Sequence, residues 1–97
     1  MENDPNAPTL YIAENPKIPG EVKVGKSYNP LRRASGLSEG QNFRLRVIAV
    51  FPGLGYLETT VHGLLERQRV EDAPSREWFY VSPQFAMAAV EQARAAA

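Results

Sequence analysis

The sequence predicts a small α/β sandwich, in which a three-stranded, mainly antiparallel sheet is flanked by helices. Three observations carry that expectation. Two short runs of strand-forming residues, 9–13 and 22–25, lie on either side of a loop marked by Asn15, Pro16, Pro19 and Gly20, as in a hairpin. A third run, 43–51, sets Phe43, Leu45 and Val47 against Arg44 and Arg46 before a wholly apolar finish, which is the two-residue period of a strand. Beyond it, Leu57, Val61, Leu64 and Leu65 recur at helical spacing.

In chain order, residues 1–8 are polar and proline-bearing and predict a flexible N-terminal tail. Residues 9–97 are expected to form a single domain. After the hairpin, Asn29 suits an N-cap and Pro30 the first helical position, starting a helix that runs to about Leu37. Gly36 weakens its end and Gly40 falls in the next loop. Pro52 and Gly53 stop the third strand, and a helix is predicted from Gly55 to about Val70. Glu71 to Ser75 reads as a polar loop and residues 78–81 as a short strand. Ser82 and Pro83 cap a final alanine-rich helix, with Phe85, Ala89 and Ala93 along one stripe and Val90 beside it.

The bulk numbers narrow the classes of function. A chain of 97 residues supports one modest core. It contains no cysteine, which excludes a disulfide framework and a thiolate metal site. No apolar run approaches the roughly 20 residues that span a bilayer, and Met1-Glu-Asn-Asp lacks a basic region before an apolar one. A cytoplasmic location without membrane attachment is therefore expected. The formal net charge is zero, but its distribution is uneven. Between residues 22 and 50 stand Lys23, Lys26, Arg32, Arg33, Arg44 and Arg46 against Glu39 alone. A basic segment of that kind suits a polyanionic partner.

Phosphodiester hydrolysis needs an activated water, compensation for phosphate charge and help for the leaving oxygen. Tyr11 lies on the first strand, Lys23 and Lys26 surround Gly25, Arg33 follows on a helix, and Glu58 and His62 sit four apart on the next. A single carboxylate with water and substrate oxygens can hold Mg²⁺. The order and spacing resemble the GIY-YIG endonuclease superfamily. Leu10-Tyr11 stands where the first signature ends, Lys23-Val24-Gly25 where the second normally reads Tyr-Ile-Gly, and the run from Lys26 through Asn29 to Arg33 resembles the turn and helix that follow. Leu57-Glu58 is similar to the helix signature with its acidic metal ligand. Arg76-Glu77-Trp78-Phe79 resembles the close of a small phage and bacterial branch.

That resemblance implies a metal-dependent endonuclease, acting on DNA in the first instance. Tyr11, Lys23, Arg33 and His62 are its catalytic candidates, Lys26, Asn29 and Arg32 its substrate-binding candidates, and Glu58 the ligand for Mg²⁺ or Mn²⁺. Lys23 in place of the second tyrosine leaves Tyr11 as the candidate base, because a lysine ammonium cannot accept a proton. No sequence-reading domain is evident, so specificity is expected from a second copy, a partner protein or the form of the nucleic acid. Two other classes compete. One is a nucleic-acid-binding module that keeps the fold without turnover. The other is a protein-interaction domain using a surface at Leu54, Tyr56 and Phe85.

Overall fold

In the computed structural model, residues 7–35, 44–73 and 75–97 are described. The hairpin forms as expected: β1 (Thr9–Glu14) pairs antiparallel with β2 (Val22–Ser27), placing Tyr11 opposite Gly25 and Ala13 opposite Lys23. Strand β3 (Arg46–Phe51) pairs antiparallel on the other side of β1. The short β4 (Trp78–Phe79) adds to the free side of β2, with Val22 opposite Phe79 and Lys23 opposite Trp78. The sheet is therefore four-stranded, in the order β3-β1-β2-β4. The class expected from the sequence is the class observed. The added strand is the Trp78 segment, too short for its own period to reveal whether it would pair.

Strand β3 starts at Arg46 rather than residue 43, because β1 ends at Glu14 and Arg46 is the last residue it can pair. Leu45 leaves the ladder and donates its amide to the Ala34 carbonyl at 3.0 Å. Phe43, which opened the predicted strand, lies outside the described residues, as do Leu37, Gly36, Gly40 and the tail over residues 1–6. Of that tail, Pro8 is described, and its carbonyl accepts the Gly55 amide at 2.9 Å. A Cβ on Gly55 would lie 2.8 Å from Pro8, so only glycine permits the approach.

Helix α1 (Pro30–Ser35) begins where Asn29 predicts. The Asn29 side-chain oxygen accepts the Arg32 amide at 3.1 Å, and its carbonyl accepts the Arg33 amide at 3.0 Å. The long helix expected over residues 55–70 is shorter. A 3₁₀ turn at Gly55–Leu57 leads into α2 (Glu58–Leu64), and a second turn follows at Glu66–Gln68. The Val70 amide then donates to the Trp78 carbonyl at 2.9 Å and the Tyr80 amide to Gln68 at 2.7 Å. That pairing takes residues 69–70 out of helical geometry, a tertiary demand that apolar spacing cannot report. Helix α3 (Pro83–Ala96) is capped by the Ser82 hydroxyl, which accepts the Phe85 amide at 3.1 Å.

Each face of the sheet has its own core. Leu10, Ile12, Val22 and Val24 face α2 and α3, which contribute Val61, Ala86, Ala89, Val90 and Ala93. Phe85, placed on one stripe with Ala89 and Ala93, is 53% exposed, and Ala86 is the buried residue of that turn. Tyr11, Ala13 and Trp78 face the other way and pack with Ala34 of α1, Leu45 and Val70. Alternation along β2 sends Lys23 and Gly25 to this second face.

Candidate functional site

The site is built where β4 ends and β2 runs on past it through Gly25, which is buried. Tyr11 crosses from β1 beneath that glycine and is 1% exposed. A Cβ placed on Gly25 would lie 2.9 Å from the Tyr11 phenol oxygen and 2.9 Å from Glu77 Oε1. The phenol and the Glu77 carboxylate thus converge on the space that a side chain at residue 25 would fill. Gly25 does not have positive φ, so its role is to leave room rather than to turn the chain.

Lys23 is also drawn in. It is 5% exposed, with its Nζ 3.7 Å from Glu77 Oε1 and 5.9 Å above the Tyr11 ring. A buried ammonium requires a counter-charge, and Glu77 is placed to provide it. Glu77 reaches this position because the Val24 amide binds its carbonyl at 2.9 Å, extending the β2–β4 pairing one residue back.

Helix α2 approaches the same strand from the opposite face. His62 Nε2 lies 2.8 Å from the Val24 carbonyl; a carbonyl only accepts, so Nε2 carries the proton and donates. The imidazole also packs on Phe79, with ring centroids 5.1 Å apart. Glu58 stands one turn earlier. Burial is the main cause that holds its carboxyl above the usual value, and repulsion from Glu77 adds to it, while His62, Lys26 and Lys23 act in the opposite sense. Those influences place Glu58, Glu77, His62, Lys26 and Lys23 in one electrostatic neighbourhood.

The structure therefore brings together Tyr11, Lys23, Lys26, Glu58 and His62. Arg33 lies half-buried on α1, next to Ala34 and on the Tyr11 face, while Arg32 is exposed. Asn29 has its side-chain oxygen engaged in the cap of α1. Glu77, which the sequence offered only as part of the Arg76-Glu77-Trp78-Phe79 segment and not among the candidate site residues, is central to the site. Arg76 instead points outward, with an oxygen of Glu66 at 3.9 Å. The one sequence signal was the adjacency of Glu77 to the aromatic strand Trp78–Phe79.

Arg69 secures this end of β4. Its guanidinium donates to both carboxylate oxygens of Glu66 at 2.7–3.2 Å and to the Arg76 carbonyl, and it lies over the Phe79 ring with 4.9 Å to the centroid. The hydrogen bond from Arg69 is the main cause that lowers the Glu66 carboxyl from its usual value. Two surface hollows, about 310 Å³ beside Val50, Leu54 and Arg94 and about 360 Å³ between Glu21 and Pro83, contain none of the site residues. Leu54 is 4% exposed, which removes it from the interaction surface expected with Tyr56 and Phe85.

Among the described residues no three His, Cys, Asp or Glu side chains gather as a metal cage. Mg²⁺ does not require one, since it keeps several waters and binds through one or two carboxylates. Glu58, half-buried and repelled by Glu77, fits that mode, because a divalent cation would relieve the repulsion.

Fold and site together define a small α/β domain that gathers two carboxylates, two lysines, a histidine and a buried tyrosine around β2. The chain belongs to the T5orf172 domain family, whose model matches residues 9–95. Neither a curated protein nor a solved structure matches it. The resemblance to the GIY-YIG endonuclease superfamily is thereby corrected, since the matching family is a different one. Lys23, which stands where that superfamily's second signature has a tyrosine, forms an ion pair with Glu77. No helix among the described residues is long and apolar enough to cross a membrane.

Proposed function

We propose that this domain is a divalent-metal-dependent phosphodiester hydrolase acting on nucleic acid, DNA in the first instance. The observation that carries the reading is the convergence of Tyr11 and Glu77 over Gly25 within the electrostatic reach of Glu58, Lys23 and Lys26. Membership of the T5orf172 family, a phage-type domain associated with nucleic acid, supports it.

Glu58 would hold Mg²⁺ or Mn²⁺. When bound, the cation supplies charge compensation for the phosphate and for the departing 3′ oxygen. Lys26, exposed at the end of β2, and Arg33 bind the phosphate oxygens and offset the charge that develops on them. Tyr11 is sealed from solvent, so the Glu77 carboxylate, whose side chain is 31% exposed, accepts the proton of the attacking water, and the Tyr11 phenol that shares its space positions it. Lys23, 3.7 Å away, holds Glu77 in place for that transfer. His62, held by the Val24 carbonyl, fixes the face of α2 on which Glu58 stands.

Incubation of the protein with supercoiled plasmid, linear duplex and single-stranded DNA, in Mg²⁺, Mn²⁺ or EDTA, tests the proposal. Cleavage is expected only with metal and is expected to disappear in Glu58→Ala. Absence of cleavage by the parent on every substrate, RNA included, would overturn it. Binding that persists in EDTA without any cleavage would then indicate a module that keeps the fold without turnover.

A further inference from the structure

The turn that joins β2 to α1 presents Tyr28 and Leu31 to solvent, 76% and 69% exposed, the two most exposed large apolar side chains among the described residues. Exposure of this extent is not accounted for by folding. Tyr28 occupies the position before the cap of α1, where an apolar residue ordinarily folds onto the fourth helical residue and covers it. Here that fourth residue is Arg33, so the position offers the ring no apolar side chain, and Tyr28 stands exposed.

The turn is nevertheless firmly held. The Asn29 amide donates to the Ser27 hydroxyl at 3.0 Å and the Arg32 amide to the Asn29 side chain at 3.1 Å. Exposed Lys26 precedes the ring and exposed Arg32 follows it. Tyr28 stands three residues beyond Gly25, roughly 10 Å along the chain. An aromatic face on a rigid turn, set between cations and next to a phosphate-handling site, matches a ligand that offers a flat π-face and a negative backbone together.

We propose that Tyr28 is a stacking platform for an unpaired base, and that the strand bound at this site is single-stranded nucleic acid. In a duplex each base is already stacked on both sides and cannot lie on the ring, whereas in a single strand every base has an available face. Leu31, one helical turn on, extends the apolar edge of the platform, and Lys26 and Arg32 contact the flanking phosphates. The inference rests on the hydrolase reading only for the purpose of the site, because the stacking itself needs no turnover.

The test measures binding in EDTA, where nothing is cut, using a thymine oligonucleotide that carries one 2-aminopurine and the duplex made from it. The parent is expected to quench the fluorescence of the single strand as the base stacks. Tyr28→Ala is expected to lose the quenching and to bind the single strand about tenfold more weakly, while Tyr28→Phe retains both. Duplex binding is expected to be equal in all three proteins. Tyr28→Ala that binds and quenches like the parent would overturn the proposal, and so would an equal loss on the duplex. A parent that binds no nucleic acid at low salt would overturn it as well, and would assign the patch to a protein partner. A parent that stacks single strands through Tyr28 yet cuts nothing in Mg²⁺ would uphold the platform and overturn the hydrolase reading alone.

Discussion

Substitution of Gly25 by alanine tests the construction of the site. The added methyl would meet the Tyr11 phenol oxygen at 2.9 Å, the Tyr11 Cζ at 3.0 Å and Glu77 Oε1 at 2.9 Å. The carboxylate ends a flexible side chain and can turn aside. The tyrosine ring cannot, being buried between the strands and Trp78. Overpacking of a rigid neighbour costs about 1–3 kcal/mol, and alanine in a strand recovers about 0.5–1 kcal/mol relative to glycine. The expected loss is therefore about 1–2 kcal/mol, or roughly 5–15 °C in melting temperature for a domain of this size. Urea denaturation and thermal melting measure it, and metal-dependent cleavage is expected to fall further than stability does, because Tyr11 and Glu77 are displaced together. Tyr11→Leu in the same chain removes the ring and should recover part of the stability without recovering activity. A Gly25→Ala protein as stable and as active as the parent would refute the claim that Tyr11 and Glu77 share the space over residue 25.

Other expectations follow from the same contacts. Glu77→Ala leaves the Lys23 ammonium buried without its carboxylate and should cost about 1–3 kcal/mol, discounted from a fully buried pair because Glu77 is partly exposed; Glu77→Ala with Lys23→Met should regain much of the loss in urea denaturation. Glu58 titrates above its ordinary 4.5 in the folded chain, so its contribution to stability is present below that value and is lost as pH rises through the folded one. Glu58→Gln, which cannot ionise, should therefore gain stability over the parent progressively as pH increases from 4 to 8, and denaturation curves across that range would show it. Arg69→Ala removes the fork to Glu66, the bond to the Arg76 carbonyl and the cover over Phe79. A loss of about 1–3 kcal/mol is expected, together with a rise of the Glu66 pKa back to its ordinary value by NMR titration. Arg69→Lys should recover little, since one ammonium cannot reproduce the fork.

Much of the scaffold could be read from local chemistry. The hairpin follows from two short runs around a proline–glycine loop, α1 from Asn29 and Pro30, and α3 from Ser82 and Pro83, each realised with the expected cap. What could not be read depends on contacts distant in sequence. Residues 65–70 have helical spacing, yet Val70 and Gln68 bond across to Trp78 and Tyr80, and that pairing overrides the period. Ile48 is passed over where the β1–β3 register shifts between Ile12 and Ala13, and no pattern in the sequence announces this. The stripe assigned to α3 was offset by one residue, since Phe85 is 53% exposed while Ala86, Ala89, Val90 and Ala93 are buried.

The site divides in the same way. Tyr11, Lys23, Lys26, Glu58 and His62 were legible because each residue type suits phosphate chemistry and stands near a predicted strand end or helix start. Glu77 was not, because its partner Lys23 is remote in the chain and only the β2–β4 pairing brings them together. The family resemblance misled for a related reason. The ordered Tyr, Gly, Arg and Glu set suggested that superfamily, and the match of another family's model over residues 9–95 replaces it.

The most direct test of the hydrolase site is a paired measurement on Glu58→Gln: single-turnover cleavage of the best substrate in Mg²⁺, and urea stability of the same preparation at pH 8. If Glu58 is the destabilised carboxylate that holds the metal, cleavage falls to the level seen in EDTA while stability exceeds that of the parent. Cleavage at the parental rate would contradict the account, and so would a loss of cleavage accompanied by a loss of stability.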